Sequence, residues 1–220
     1  MQTAVIFDLD GTLIDSAPDI HAVANAVLAL HSFAPLPVAQ VRGFVGRGVP
    51  HLVHCLIAAS DADPEGPLHA QMVAEFVARY SDAVALTTLY PGVRGALEAL
   101  ASAGHPLGLC TNKPVAPTLA VLRHFGLEAL FGAVVGGDSL AVRKPDPAPL
   151  HQAHFLLGRG PVLYVGDSEI DAETAERAGL GFALYTEGYR RSDLHAIRHD
   201  IAFSDHAMLP GIVAHWPAPR

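Results

Sequence analysis

Five short runs rich in β-branched, aliphatic and aromatic residues recur along the chain, at 3–9 (TAVIFDL), 107–112 (LGLCTN), 133–137 (AVVGG), 162–167 (VLYVGD) and 181–186 (GFALYT). The segments around them place apolar residues at helical spacing instead: 93–104, 116–127, 147–158 and 171–179. Gly104, Gly126, Gly158 and Gly179 stand where each helix would need a left-handed stop. This alternation leaves few choices. Strands that run parallel need a long crossover between them, and a helix is its usual form. The pattern therefore predicts an α/β fold, a Rossmann-like parallel sheet with helices on its faces.

One stretch breaks the rhythm. Residues 15–86 hold three helical patterns, PDIHAVANAVLAL, VPHLVHCLIAAS and LHAQMVAEFVARY, and no convincing strand. They are read as an inserted all-helical domain, with residues 1–14 and 87–220 forming one discontinuous core. With 220 residues, half of them hydrophobic, the chain is long enough to bury a core and a smaller insert. The Pro-rich tail WPAPR is expected to fray.

The ends of the strand runs carry the polar residues. Asp8 lies in the first run and Asp10 just beyond it; the second closes on Thr111, Asn112 and Lys113; Lys144 follows the third; the fourth ends in Gly166, Asp167 and Ser168. Ligands of open α/β sheets bind beyond the carboxyl ends of the strands, so these clusters should converge on one pocket. Helix N-termini open there too and favour anions. The chain has 14 basic residues, of which only Lys113 and Lys144 are lysine, and both precede proline within these clusters. Lys144 reads as a compact point charge wanted at the site, whereas Lys113 is also compatible with an ordinary surface lysine. An EF-hand starting at Asp8 would need glycine and glutamate where Leu13 and Asp19 stand. Neither a Walker loop nor a dinucleotide fingerprint is present.

Composition excludes other classes. A formal charge of −8, without a block of Lys and Arg, argues against nucleic acid as partner. No run reaches the length of a membrane span. Two cysteines, Cys55 and Cys110, are too few for a disulfide framework, and with no leader pattern at the start a soluble, reducing, cytoplasmic setting is expected. His51 and His54 share a helical face, but no accompanying ligand string supports zinc.

Together, Asp8-Leu9-Asp10-Gly11-Thr12, Thr111-Asn112, Lys144-Pro145 and Gly166-Asp167-Ser168-x-x-Asp171 resemble, in order and spacing, the four motifs of the haloacid dehalogenase superfamily. The resemblance covers essentially the whole chain. The helical insert is similar to that superfamily's first type of cap, and the sequences around TNKP, KPDP and VGDSEIDAETA look most like bacterial phosphoglycolate phosphatases. It implies that Asp8 is a nucleophile forming an aspartyl phosphate, and that Asp10 is general acid and then base. Dehalogenases of the superfamily lack the second aspartate, so its presence favours phosphate chemistry.

An anionic nucleophile meeting an anionic phosphate is repelled by about 4 kcal/mol per charge pair at 4 Å and an effective dielectric of 20. The resemblance assigns the compensation to Mg²⁺ held by Asp8, the carbonyl of Asp10 and Asp167, and to Lys144. Thr111 and Asn112 would donate to the phosphoryl oxygens, and Asp171 with Ser168 would sit behind or at the metal. In the insert, Arg47 stands between two glycines before a helix and is expected to read the carboxylate of 2-phosphoglycolate. Hinges are expected at Asp15–Ser16 and at 87–90. The leading expectation is a Mg²⁺-dependent phosphomonoesterase acting on a small phosphorylated metabolite, 2-phosphoglycolate or a similarly small carboxylated phosphate. The alternatives are a phosphatase, pyrophosphatase or phosphosugar mutase of the same superfamily acting on another small phosphate, or a catalytically silent phosphate-binding module.

Overall fold

The computed structural model describes residues 2–216; residues 217–220 of the tail lie outside them. In chain order the elements are β1 (Ala4–Phe7), β2 (Ile14–Asp15), α1 (Ala17–Leu30), α2 (Val38–Arg42), α3 (Val49–Ala58), α4 (Leu68–Tyr80) and β3 (Thr88–Leu89). These are followed by α5 (Val93–Ser102), β4 (Leu107–Cys110), α6 (Val115–His124), β5 (Ala133–Val135), α7 (Ala148–Leu156) and β6 (Val162–Gly166). The chain closes with α8 (Glu169–Ala178), β7 (Gly181–Tyr185), β8 (Ile201–Phe203) and α9 (Leu209–Ala214).

Six strands form one sheet in the order β5-β4-β1-β6-β7-β8, every pair parallel. Each residue of β1 is buried, as a central parallel strand covered on both faces requires. The two-residue period of the strands then sorts their side chains. Val5, Phe7, Leu163 and Val165 enter one apolar cluster, while Ala4, Ile6, Val162 and Tyr164 enter a second on the opposite face. The four helix-ending glycines adopt the expected left-handed conformation, with φ of +82°, +64°, +97° and +65°.

Register delivers the polar residues to one edge. Phe7 lies beside Leu109 of β4 and Val165 of β6, so Asp8, Thr111 and Asp167 all leave the sheet at the same end. Strand order reverses at β1, and the crevice that such a reversal opens is where ligands of open α/β sheets sit.

Helices α1 to α4 bury a third, separate apolar cluster that includes Ile20, Val27, Leu52, Val53, Leu56, Met72 and Phe76. The chain enters and leaves this helical group through a small antiparallel pair, β2 with β3, in which Asp15 faces Thr88 and Ile14 faces Leu89. Asp19 of α1 fastens the exit by accepting from the Leu86 backbone N–H and the Thr87 hydroxyl at 3.0 and 2.6 Å. No helix among the described residues is long and apolar enough to cross a membrane.

The structure departs from the sequence expectations at short elements. The expected strands 3–9 and 107–112 end at Phe7 and Cys110, because the residues beyond turn out of the ladder to form the site. β2, β3 and β8 are only two or three residues long and α2 only five, too short for a periodic signal. Residue 15, expected in an all-helical insert, belongs to β2.

Candidate active site

Asp8 follows directly on β1 and is 7 % exposed. Lys144, on the loop after β5, brings Nζ to 2.9 Å from Asp8 Oδ1 and donates at 2.7 Å to Asp171 Oδ1 and at 2.9 Å to the Tyr164 hydroxyl. The Tyr164 hydroxyl in turn donates to Asp171 at 2.8 Å. Asp171 Oδ2 accepts from the Ser168 hydroxyl and backbone N–H at 2.6 and 3.1 Å, at the start of α8. Both Asp171 oxygens are thus spent holding Lys144 and the helix N-terminus, and its acid also complements that helix dipole.

Asp167 is held from two sides. Its Oδ1 accepts from the Thr12 hydroxyl at 2.7 Å and its Oδ2 from the Tyr189 backbone N–H at 2.6 Å. Glycines permit this close approach: a Cβ on Gly11, whose φ is +89°, would lie 2.4 Å from Asp167 Oδ2, and one on Gly188 would lie 2.3 Å from Asp167 Cβ. The Tyr189 hydroxyl donates to Asp15 Oδ1 at 2.6 Å and accepts from the backbone N–H groups of Ser16 and Ala17, so one residue touches both Asp167 and the entry to the helical insert.

Charge at this cluster is unbalanced. Burial pushes the Asp8 carboxyl up to about 6 despite the Lys144 ammonium beside it. Burial, with Asp171 and Asp8 nearby, also raises Asp167. Burial alone would raise Asp171 too, but Lys144 and the Ser168 and Tyr164 bonds hold it below the usual range. Lys144 is the reciprocal case: burial opposes its charge, and Asp171 and Asp8 raise it above an ordinary lysine.

Three carboxylates therefore stand beside a single ammonium that only Asp8 and Asp171 touch, and one oxygen each from Asp8, Asp167 and Asp171 lies within 4.8 Å of the others. Asp8 Oδ1 is buried without a hydrogen bond; the 2.9 Å contact with Lys144 is close but poorly directed. An all-oxygen, net-negative cluster with an unsatisfied carboxylate oxygen fits a hard divalent cation. Asp171 accepts two hydrogen bonds on Oδ1 and three on Oδ2, which fills both oxygens, whereas Asp167 accepts one on each and Asp8 Oδ1 none, so Asp8 and Asp167 keep the lone pairs with which to bind it.

Across the pocket, Asp10 Oδ1 accepts from the Ser16 hydroxyl at 2.5 Å and from Lys113 Nζ at 3.0 Å. Lys113 is 4 % exposed, so it is a site residue and not a surface lysine. Its ammonium also donates to the hydroxyl of Tyr80, the last residue of α4. Thr111 is buried at the cavity wall, its hydroxyl accepting from the Lys113 backbone N–H at 3.2 Å.

Asn112 does something other than expected. Its amide donates to the Gly46 and Lys144 carbonyls at 2.9 and 3.0 Å, and its Oδ1 accepts from the Lys144 backbone N–H at 3.0 Å. Both amide N–H donors are used, so the side chain fixes Lys144 and the 46–48 loop and is not free for a phosphate.

The cavity lies between sheet and helical insert. Asp8, Asp10, Thr111, Asn112 and Lys113 line its floor, and Ile20, Val45, Val49, Leu52, Phe76 and Tyr80 its roof. The centre of a water-sized sphere has about 40 Å³ of free space there, room for a few small groups. Arg47 is exposed and does not line the cavity; the neighbouring Gly46 and Gly48 do. The loop sets its two glycines against the cavity and leaves Arg47, expected to read a substrate carboxylate, at the surface beside it.

The structure thus brings Asp8, Asp10, Thr111, Lys144, Asp167, Ser168 and Asp171 together. Lys113, which the strand-end clusters placed there with a surface lysine as the alternative, joins them, as do Thr12 of the first motif and Tyr80, Tyr164 and Tyr189, to which no site role had been given. For Lys113 the scarcity of lysine was a usable signal; for the tyrosines, which read as ordinary core aromatics, there was none.

Comparison with known proteins agrees with this geometry. The family model described as haloacid dehalogenase-like hydrolase matches residues 2–179. The chain is 53 % identical over 216 residues to the phosphoglycolate phosphatase of Rhodobacter capsulatus, covering 98 % of this chain and 99 % of that protein. It is 42 % identical over 218 residues to the phosphoglycolate phosphatase of Rhodospirillum rubrum, covering 95 % and 90 %. The crystal structure of a predicted phosphoglycolate phosphatase from Haemophilus somnus 129pt superposes with a TM-score of 0.88 at 29 % identity, covering 96 % of this chain and 97 % of that one.

Proposed function

The chain belongs to the haloacid dehalogenase-like hydrolases, and from that premise we propose that it hydrolyses 2-phosphoglycolate to glycolate and phosphate through an aspartyl phosphate on Asp8. The observation that carries this reading is the pairing of Asp8, with its unsatisfied oxygen, and Asp10 on the floor of one small cavity. The names of the full-length relatives support the substrate.

Asp8 attacks phosphorus, and the P–O bond to the glycolate oxygen breaks as Asp10 hands that oxygen a proton. Asp10 then takes a proton from water as water attacks the Asp8 phosphate, which restores both carboxylates to their starting states. Lys144 stays charged beside Asp8 throughout and offsets the negative charge gathering there. The Thr111 hydroxyl lies close enough to the floor to donate to a phosphoryl oxygen. Asp8, Asp167 and the Asp10 carbonyl would hold Mg²⁺, which supplies charge neutralisation of the phosphoryl oxygens. The apolar roof keeps bulk water from the reacting centre. The enzyme acts on a small phosphorylated metabolite in the cytoplasm, without nucleic acid or membrane.

The test is Mg²⁺-dependent phosphate release from 2-phosphoglycolate, hexose phosphates, nucleotides and pyrophosphate, with Asp8→Asn as the blank. A preference for 2-phosphoglycolate that vanishes in the blank is expected. Preference for pyrophosphate or a sugar phosphate would overturn the substrate, and no activity above the blank would leave a phosphate-binding module.

A further inference from the structure

We propose that Lys113 and Tyr80 are the residues that recognise the carboxylate of the substrate, one from the sheet end and one from the helical insert. The inference rests on 2-phosphoglycolate being the substrate. In that molecule the carboxylate carbon is two bonds from the oxygen that leaves phosphorus. Whatever group protonates that oxygen must therefore have the carboxylate site beside it. Lys113 Nζ lies 3.0 Å from Asp10 Oδ1, on the same cavity floor.

The alternatives are few. Of the residues lining the cavity, Lys113 alone carries a positive charge. The roof above is apolar apart from Tyr80, and Arg47 faces solvent. Lys144 is already occupied by Asp8, Asp171 and Tyr164.

Donor arithmetic completes the site. An ammonium has three N–H donors, and among the described residues Lys113 uses two, on Asp10 and on Tyr80. Tyr80 accepts from Lys113, so the proton of its own hydroxyl points to another acceptor, and among the described residues none is found. One N–H and one O–H are thus left to converge on an anion. A carboxylate takes two such donors, and both gain from an anionic acceptor. Because Tyr80 sits at the end of α4, the pair is complete only when the helical insert is closed over the sheet.

The experiment compares kcat/KM for 2-phosphoglycolate with that for ethyl phosphate, which replaces the carboxylate by a methyl group, in the wild type, Lys113→Met and Tyr80→Phe. The wild type is expected to favour 2-phosphoglycolate. Lys113→Met should reduce that preference roughly 10- to 100-fold and Tyr80→Phe about three- to tenfold, with ethyl phosphate losing much less in each. A preference that survives both substitutions, or equal losses on both esters, would overturn the assignment while leaving the substrate intact. A wild type indifferent to the carboxylate would remove the substrate reading and this inference together. Tyr80→Phe deletes a single oxygen, so it decides the matter even where Lys113→Met folds poorly.

Discussion

Replacing Lys144 by methionine removes the single ammonium that Asp8 and Asp171 share, while keeping most of the side chain's unbranched length. Asp171 retains the Tyr164 and Ser168 donors. Asp8 keeps no comparable partner, since Oδ1 has no well-directed bond even now. Breaking a buried ion pair from one side costs roughly 3–5 kcal/mol. In a chain of this size each kcal/mol moves Tm by about 2–4 °C, so the metal-free variant should melt roughly 6–20 °C below the wild type.

The loss should also depend on pH. With Lys144 present, the folded Asp8 carboxyl sits at about 6 against an ordinary 3.8. The folded state therefore holds a proton that the unfolded chain has released between those values, and the stability this group contributes at low pH fades as pH rises through about 6. Without Lys144 the folded value moves higher still, so the part of the deficit that Asp8 carries should be small near pH 5 and full near pH 8, added to a part from Asp171, held ionised by Lys144, that is present at both. Urea unfolding of both proteins in EDTA at the two pH values measures it. A deficit under about 1 kcal/mol at pH 8, or one equal at both pH values, would refute this account of the charge balance.

Two other substitutions probe the surroundings. Gly188→Ala would force a Cβ to within 2.4 Å of Asp167 Oδ2 and of the Gly11 carbonyl, costing roughly 1–3 kcal/mol and displacing Asp167; the Mg²⁺ concentration for half-maximal activity should rise, and an unaltered metal titration would contradict the role given to that loop. Arg47→Ala, at an exposed position outside the cavity, should change kcat/KM for 2-phosphoglycolate by no more than about twofold; a large rise in KM would return the guanidinium to the substrate.

The parts of the molecule that were legible in the sequence were those written in long periods or at strand ends. The sheet was readable because each crossover helix repeats its apolar spacing over several turns and stops at a glycine. Asp8 and Asp167 were readable because a charged residue just past an apolar strand has little structural reason to be there, and Lys144 because the chain holds only two lysines and both fall in the strand-end clusters. What escaped notice depends on contacts between distant segments. Tyr80 meets Lys113 across 33 positions of sequence, and Tyr189 meets Asp15 across 174. Neither tyrosine differs in pattern from a buried aromatic. On which side of its loop Arg47 stands was not legible, because the glycines beside it let the loop face either way; the Asn112 amide donating to the Gly46 carbonyl is one of the contacts that hold the loop as found.

The short pair β2–β3 carries a consequence for how such a chain is assembled from parts. It holds the two ends of the helical insert side by side, Asp15 opposite Thr88. To the sheet, everything between them is equivalent to the loop of a hairpin. The entropy of closing a loop grows only with the logarithm of its length, about 0.6 kcal/mol for each doubling. Swapping the insert for a longer, shorter or differently folded one would thus cost the catalytic floor little, provided that the two crossing strands remain paired. The ladder is a splice point, at which the part that selects the substrate can be exchanged without rebuilding the part that breaks the bond.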